Sequence, residues 1–212
     1  MNILAHRGYW LSPGEKNHRI AHVRAFEHGF GIETDIRDLD GKLVVSHDMP
    51  RMNTALPLTH LLDDYITLNS EGTLAFNIKS DGLSRPLQLL LERYEISRYF
   101  CFDMSVPDSL HYFRAGMPAA ARLSEYEPEG YLSNRAPVLW IDCFGENQLD
   151  PECLYRWLLS GKDVCLVSPE LHGRDASLFW EQLLQMPKDI TRHPGLMLCT
   201  DNPLLAKRIF NS

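Results

Sequence analysis

Short apolar runs recur along this chain of 212 residues and alternate with segments that have the pattern of amphipathic helices. Each run is four to six residues long and apolar almost throughout, which is typical of parallel strands that are buried on both faces. The eight runs are residues 2–5, 31–36, 74–78, 99–104, 119–123, 138–143, 164–167 and 196–199. Strands that alternate with helices form βα units, so the pattern predicts an α/β fold with a parallel sheet.

Helical segments fill most of the intervals between the runs. They are residues 20–28, 57–64, 83–94, 107–115, 151–160, 176–185 and 202–210. A (β/α)8 barrel can be built from about 200 residues. Eight strands in a chain of this length therefore fit one barrel better than two domains. We predict a single TIM (β/α)8 barrel that takes in residues 1–212 as one domain.

A hairpin signal interrupts this rhythm after the second run. Asp40-Gly41 is a favoured two-residue turn between apolar segments. Residues 43–46 are therefore expected to form an extra short hairpin strand after the second barrel strand. That arrangement places His47 near the carboxyl ends of the strands, where TIM barrels hold their active sites.

Composition limits the classes of partner. The formal net charge is −7, which argues against a nucleic-acid-binding surface. No apolar run approaches the length of a membrane span, and the first residues do not resemble a secretory signal. The five cysteines include no CxxC pair and suit reduced thiols. We expect a cytoplasmic protein without nucleic-acid partners or stable membrane association; its oligomeric state is left open.

Glu33 and Asp35 stand two residues apart in a strand, so their side chains share one face. Two carboxylates in one cavity repel each other unless a proton or cation lies between them. Mg²⁺ and Ca²⁺ prefer oxygen ligands of this kind. The alternative is a surface pair joined to Arg37.

Histidines end the first barrel strand and the hairpin strand, at His6 and His47. Near neutral pH one imidazole can begin as a base and the other as an acid. The alternative is that each is an ordinary packed or surface residue. Arg7 and Lys79 are able to hold phosphate oxygens, or to pair with the acidic residues instead.

These motifs together resemble a known family. His6-Arg7-Gly8, Glu33-x-Asp35 and His47-Asp48 are similar to the signature of the glycerophosphodiester phosphodiesterase family, within the phosphatidylinositol-phospholipase-C-like superfamily of TIM barrels. The resemblance is strong over residues 1–48 and extends to residues 74–79. Two further elements are similar to family elements, Glu15-Lys16-Asn17 and Thr200-Asp201-Asn202-Pro203.

The resemblance implies a metal-dependent phosphodiesterase of lipid metabolism that acts on a small phosphodiester substrate, with a cyclic phosphate intermediate. It implies that His6 and His47 are the acid–base pair and that Arg7 and Lys79 contact phosphate. Glu33 and Asp35 would be ligands of a divalent cation, Mg²⁺ or Ca²⁺, with Asn77 at the third ligand position.

Two departures from the family pattern qualify these implications. The family usually has an acid at the position of Asn77, so metal affinity should fall unless Asp142 or Glu125 assists. The gap between His47 and Lys79 has no room for the usual insertion, and in this the chain resembles compact, phospholipase-D-like members. Two alternatives follow: a lyase that releases a cyclic phosphate, and a degenerate barrel that binds a phosphoester without turnover.

Three residues outside these motifs are weaker candidates for substrate contacts. Trp10 follows the first strand, and Arg122 and Asp142 end later strands. Ordinary loop packing and surface pairing explain each of them equally well.

Overall fold

The computed structural model describes residues 1–51, 54–145 and 150–211. The strands are β1 (Asn2–His6), β2 (Gly31–Leu39), β3 (Lys42–Val45), β4 (Leu56–Pro57), β5 (Leu74–Ile78), β6 (Tyr99–Phe102), β7 (Ala120–Leu123), β8 (Val138–Ile141), β9 (Asp163–Val167) and β10 (Leu196–Thr200). The helices are α1 (Arg19–Glu27), α2 (Leu58–Thr67), α3 (Ser84–Arg93), α4 (Val106–Arg114), α5 (Tyr131–Arg135), α6 (Pro151–Leu159), α7 (Ser177–Gln185), α8 (Lys188–Thr191) and α9 (Pro203–Phe210).

Eight parallel strands form the predicted TIM barrel. Pairing runs from β7 through β8, β9, β10, β1, β2 and β5 to β6. The first strand joins the last because Leu4 pairs with Cys199 across β1 and β10. Between β6 and β7 the link is a single parallel bridge from Cys101 to Ala119, supported by a 2.9 Å hydrogen bond from the Cys101 amide to the Pro118 carbonyl. Each of the eight apolar runs therefore contains a barrel strand.

The strand β3 folds back on β2 through the turn at Asp40 and Gly41. The pair is antiparallel, with Ile36 opposite Val45 and Leu39 opposite Lys42. The short strand β4 pairs with β3 and leads directly into α2. The hairpin of β2 and β3, called the flap below, places Ser46 next to Asp35, whose carbonyl accepts a 3.0 Å hydrogen bond from the Ser46 amide.

Two apolar layers hold the barrel together. Inside the barrel lie alternate residues of the strands, among them Leu4, Phe100, Trp140 and Cys199. Between the strands and the helices lies a larger cluster that includes Ile32. Strands with both faces buried in this way account for the near-continuous apolarity of the runs.

Side chains cap the first turns of α4 and α6. Ser105 accepts a hydrogen bond from the Asp108 amide at the start of α4, as expected for an N-cap. Asp150 does the same for α6 through the amides of Glu152 and Cys153. Within the described ranges, no helix combines the length and apolarity needed to cross a bilayer.

Candidate active site at the barrel mouth

The inward-facing side chains change from apolar to polar toward the carboxyl ends of the strands. On β1 the inward series passes from Leu4 to His6, and on β8 it passes from Trp140 to Asp142. Alternate residues of a strand share a face, so these polar groups continue the inner face of the barrel. Others placed in this way are Glu33, Asp35, Asn77, Arg122 and Asp201. They gather at the end where TIM barrels hold their sites.

A tight turn closes β1 and directs its last side chains. Arg7 and Gly8 both have positive φ, at 56° and 85°. The Arg7 amide donates a 2.9 Å hydrogen bond to the Glu33 carbonyl, and the Gly8 amide donates to Ala5. A Cβ on Gly8 would lie 2.8 Å from the backbone carbon of Ala21 on α1. The turn therefore requires glycine at this position, because its close approach to α1 leaves no room for a side chain and its φ also favours glycine.

His6 is held through one ring nitrogen. Its Nδ1 lies 2.7 Å from Asp201 Oδ1, and Lys16 Nζ lies 3.5 Å from the other carboxyl oxygen. Burial opposes ionisation of Asp201, but His6 and Lys16 outweigh that effect and lower its pKa below the ordinary value. Because the carboxylate accepts, the imidazole hydrogen lies on Nδ1. His6 Nε2 then faces the mouth, 3.9 Å from Glu33 Oε2.

Glu33 and Asp35 are buried, with exposed fractions of 2% and 0%. The alternative of a surface pair joined to Arg37 is therefore wrong: the Arg37 Nε donates to the His47 carbonyl at 3.1 Å instead. Burial raises the pKa of Glu33 to about 7, with a smaller contribution from the neighbouring charge of Asp35. Two buried carboxylates on the same face of a strand repel each other unless a cation or a proton lies between them.

Basic and amide groups surround Asp35. Arg7 Nε lies 3.1 Å and Lys79 Nζ 3.3 Å from its carboxyl oxygens. Asn17 donates to Asp35 at 2.7 Å and accepts a 2.8 Å hydrogen bond from the Thr34 hydroxyl. Pairing with Asp35 is thus observed for both predicted phosphate contacts. A guanidinium has five donors, so the pair leaves Arg7 able to bind a further anion.

Three buried polar atoms at this place make no hydrogen bond to any described residue. They are Arg7 Nε, Asp35 Oδ1 and Asn77 Oδ1. The two ion pairs of Asp35 with Arg7 and Lys79 involve the first two atoms but lack hydrogen-bond alignment. Buried polar atoms are normally satisfied, so a group of unsatisfied ones marks a place where a ligand or ion fits.

The oxygen donors fit a hard divalent cation. Asp35 and Asn77 are direct neighbours in the register of β2 and β5, and the buried Glu33 stands on the same face of β2. In the described part of the chain no three His, Cys, Asp or Glu side chains form a metal cluster. The amide oxygen of Asn77 is an available third donor beside Glu33 and Asp35, since carbonyl oxygens also bind Mg²⁺ and Ca²⁺.

His47 lies on the wall of a cavity of about 700 Å³ beside the flap. Its side chain is 46% exposed, and its Nδ1 lies 2.8 Å from Asp48 Oδ1. The same cavity is lined by Arg7, Lys16 and Asn17. His47 and Arg7, the residue that follows His6 in the chain, therefore line the same cavity.

Two of the weaker candidates are tied to neighbouring side chains. Arg122 lies 3.0 Å from Asp103 and 2.6 Å from Glu127, and burial raises the pKa of Asp103. Trp10 lies beneath Lys16, whose Nζ is 4.4 Å from the ring centroid. Both have the structural partners that the alternative interpretation expected.

Asp142 is paired as well. Its carboxylate lies 2.6 Å from His172 Nε2, on the turn after β9. Glu125, the other acid considered for the cation, is exposed and accepts from the backbone amides of Phe144 and Gly145. Glu125 therefore links the loop after β7 to the loop after β8.

Several residues of the mouth received no role from sequence reasoning. Asn17 and Asp201 stand within the two further elements that resemble the family, so a signal for them was present. Asp103 directly follows β6, at the position where a strand-end residue of the mouth is expected. His172 carried no signal at all, because its partner Asp142 lies 30 residues away in the chain.

Solved structures of known proteins resemble this chain in its fold. No family model matches the chain, and no curated protein matches it by sequence. Solved structures do match over its whole length. A protein of Galdieria sulphuraria, provisionally assigned as a glycerophosphodiester phosphodiesterase, is 17% identical with a TM-score of 0.75 over 100% of this chain and 98% of its own.

Two other structures give the same picture. The glycerophosphodiester phosphodiesterase of Agrobacterium tumefaciens is 17% identical, with a TM-score of 0.67 and full coverage of both chains. A phosphodiesterase of Oleispira antarctica, in complex with the product sn-glycerol-3-phosphate, is 13% identical, with a TM-score of 0.69 over 100% of this chain and 97% of its own. The chain thus has the fold of the glycerophosphodiester phosphodiesterases.

Proposed function

We propose that this protein is a divalent-cation-dependent phosphodiesterase that cleaves a small phosphodiester by acid–base catalysis with His6 and His47. One observation carries the proposal. His6 is anchored by Asp201 through Nδ1, and its Nε2 lies 3.9 Å from the buried acid Glu33 at the barrel mouth. The shared fold supports a phosphoester substrate, since one structural neighbour holds sn-glycerol-3-phosphate.

Glu33, Asp35 and Asn77 would hold the cation, Mg²⁺ or Ca²⁺. When bound, such an ion supplies Lewis-acid neutralisation of phosphate oxygens. Arg7 and Lys79 would bind the remaining phosphate oxygens, Arg7 through its planar fork and Lys79 as a point charge. Both already lie within 3.3 Å of Asp35, which orients them toward the same place.

The two histidines divide the proton transfers. Neutral His6 takes the proton of a substrate hydroxyl at Nε2, and the hydroxyl oxygen forms a bond to phosphorus. The bond from phosphorus to the leaving oxygen breaks, and protonated His47 gives that oxygen its proton. A cyclic phosphate results, and water opens it with the two proton transfers reversed. Positioning and charge neutralisation supply most of the acceleration.

Asn77 favours a second candidate function. An amide in place of a carboxylate removes one negative charge from the proposed cation site, and a barrel that only binds a phosphorylated ligand needs no cation. Under this candidate, calorimetric titration with Mg²⁺ or Ca²⁺ would detect no binding, and no diester would be turned over.

The test is a panel of small phosphodiesters assayed with Mg²⁺, Ca²⁺ and a chelator. We expect chelator to abolish turnover, and His6→Ala and His47→Ala each to lower kcat by roughly 10²–10⁴-fold, the usual contribution of general acid–base catalysis. His111→Ala, on the exposed surface of α4, is the matched control. Activity that survives both active-site substitutions would contradict the mechanism.

Analysis of the products by ³¹P NMR separates hydrolysis from a lyase reaction that ends at the cyclic phosphate. The cytoplasmic location and the exclusion of nucleic-acid and membrane partners stay predictions, because they rest on composition.

A further inference from the structure

A chain of hydrogen bonds connects Asp201, whose carboxylate anchors His6, to Glu170, Ser168 and Trp180. The Asp201 amide donates to Glu170 Oε1 at 3.2 Å, and the Thr200 hydroxyl donates to the same oxygen. The other oxygen of Glu170 accepts from the Ser168 hydroxyl. Ser168 in turn accepts a 2.8 Å hydrogen bond from the indole Nε1 of Trp180. Glu170 therefore joins the carboxyl ends of β9 and β10.

Three members of this hydrogen-bond chain are buried, whereas Glu170 and Asp201 are partly buried. Ser168 and Thr200 are fully buried, and Trp180 is buried on α7. Placing a carboxylate among such groups costs free energy unless its hydrogen bonds are made. Glu170 accepts three of them, and hydrogen bonds to an ionised acceptor are the stronger kind. The donors come from two segments, the ends of β9 and β10, so Glu170 holds those two segments in one arrangement.

We propose that Glu170 is a positioning residue that fixes Asp201 and, through it, the orientation and tautomer of His6. This inference rests on the proposed role of His6 as a base. Its Nε2 must face the mouth with a free electron pair, which requires the hydrogen on Nδ1 and a fixed acceptor there. The acceptor is Asp201, and the backbone of Asp201 is held by Glu170.

The geometry also predicts which substitutions preserve the function. Gln at position 170 keeps a carbonyl oxygen for Thr200 and Asp201, and its amide is able to donate to Ser168 Oγ. Ala removes all three connections. Loss of a residue that orients a functional histidine typically costs roughly 10- to 100-fold in activity.

The experiment compares Glu170→Ala, Glu170→Gln and the control Glu129→Ala. Glu129 is an exposed carboxylate that pairs with Arg156 of α6. Each full-length variant is assayed for kcat and KM with the phosphodiester panel. The ¹⁵N and ¹H signals of the His6 ring are recorded by NMR at one pH to read its tautomer. If Glu170→Ala does not fold, Glu170→Asp replaces it, since the shorter side chain keeps the charge but loses the reach.

We expect Glu170→Ala to lower kcat roughly 10- to 100-fold with KM nearly unchanged, and to convert a single Nδ1–H tautomer of His6 into a mixture. Glu170→Gln should retain most of the activity, and Glu129→Ala all of it. Unchanged kcat and an unchanged His6 spectrum in Glu170→Ala would overturn the proposal.

The two proposals fail separately. If no diester is hydrolysed, or if His6→Ala keeps full activity, the proposed function is wrong. The NMR comparison still decides whether Glu170 orients His6, because it does not depend on turnover.

Discussion

Asn77 sets the charge of the proposed cation site. Its Oδ1 is buried without a hydrogen-bond partner among the described residues, beside Asp35 in the strand register. Asp35 is itself already compensated by Arg7 and Lys79. A cation at this place therefore meets less negative charge than a site with three carboxylates would offer.

Asn77→Glu should consequently strengthen cation binding. The added carboxylate supplies a charged oxygen, and we expect the dissociation constant for Mg²⁺ or Ca²⁺ to fall at least about tenfold, which is about 1.4 kcal/mol. Isothermal titration calorimetry measures it. Asn134→Glu, which adds the same charge on the exposed part of α5, is the control. Equal affinities in the two variants would show that Asn77 does not contact the ion.

Gly8 is where backbone geometry is most restrictive. Gly8 and Gly82 share φ of 85°, but a Cβ on Gly82 meets no atom within 4 Å, whereas one on Gly8 meets the Ala21 backbone at 2.8 Å. Gly82→Ala should cost about 1 kcal/mol from φ alone, and Gly8→Ala roughly 2–4 kcal/mol from φ and the clash. Urea unfolding of the two variants gives the difference. Similar losses of unfolding free energy in the two variants would mean that α1 moves away from the added Cβ at no cost in stability.

At the scale of elements, α1 packs a buried histidine against β2. His22 is fully buried, with Nε2 3.4 Å from the Thr34 hydroxyl. Burial lowers its pKa from 6.5 to about 3, the nearby charge of Asp64 opposes this, and His18 adds a smaller lowering effect. The folded protein thus keeps a neutral imidazole where the unfolded chain would bind a proton.

The free energy of unfolding should therefore decrease as the pH falls below about 6.5. The unfolded state binds the proton first, so its share of the loss is about 1.4 kcal/mol per pH unit until the pH nears 3. Urea unfolding at pH 7.5 and 5.5 measures the loss for the natural protein and for His22→Gln, which does not titrate. We expect the natural protein to lose about 1.4 kcal/mol more. The same loss of stability in both proteins would mean that His22 binds a proton equally well in the folded and unfolded states.

At the scale of the whole molecule, the barrel has one weak seam. The strands β1 and β10 share four register pairs, whereas β6 and β7 share a single bridge at Cys101 and Ala119. Beyond that bridge, the ion pair of Asp103 and Arg122 spans the two strands at 3.0 Å. A partly exposed ion pair stabilises little in comparison with a hydrogen-bonded ladder.

Hydrogen exchange should reveal this seam. We expect peptides that cover residues 99–123 to exchange through local openings of lower free energy than peptides that cover β1 and β10, because fewer hydrogen bonds must break. Mass spectrometry of the exchanging protein gives the comparison within a single sample. Equal protection on both sides of the barrel would contradict the inference.

The barrel strands were predictable because burial on both faces makes each of them a continuous apolar run, as in residues 74–78. The elements that sequence reasoning missed are β4, α5 and α8, which have two, five and four residues. Segments so short carry less than two turns of helix or one period of alternation, so no pattern distinguishes them from loops. Whether residues 1–212 form one domain stays a prediction.

The local sequence was enough to predict the strands and the residues that end them, because period and residue type act over a few neighbouring positions. It also made His6, Glu33 and Asp35 candidates for the site, and their chemical roles stay predictions. The tertiary structure decided which partners those groups have. His6 meets Asp201 across 195 residues only because β1 and β10 are adjacent in the barrel. Such contacts depend on how distant strands come together, and no local pattern contains that information.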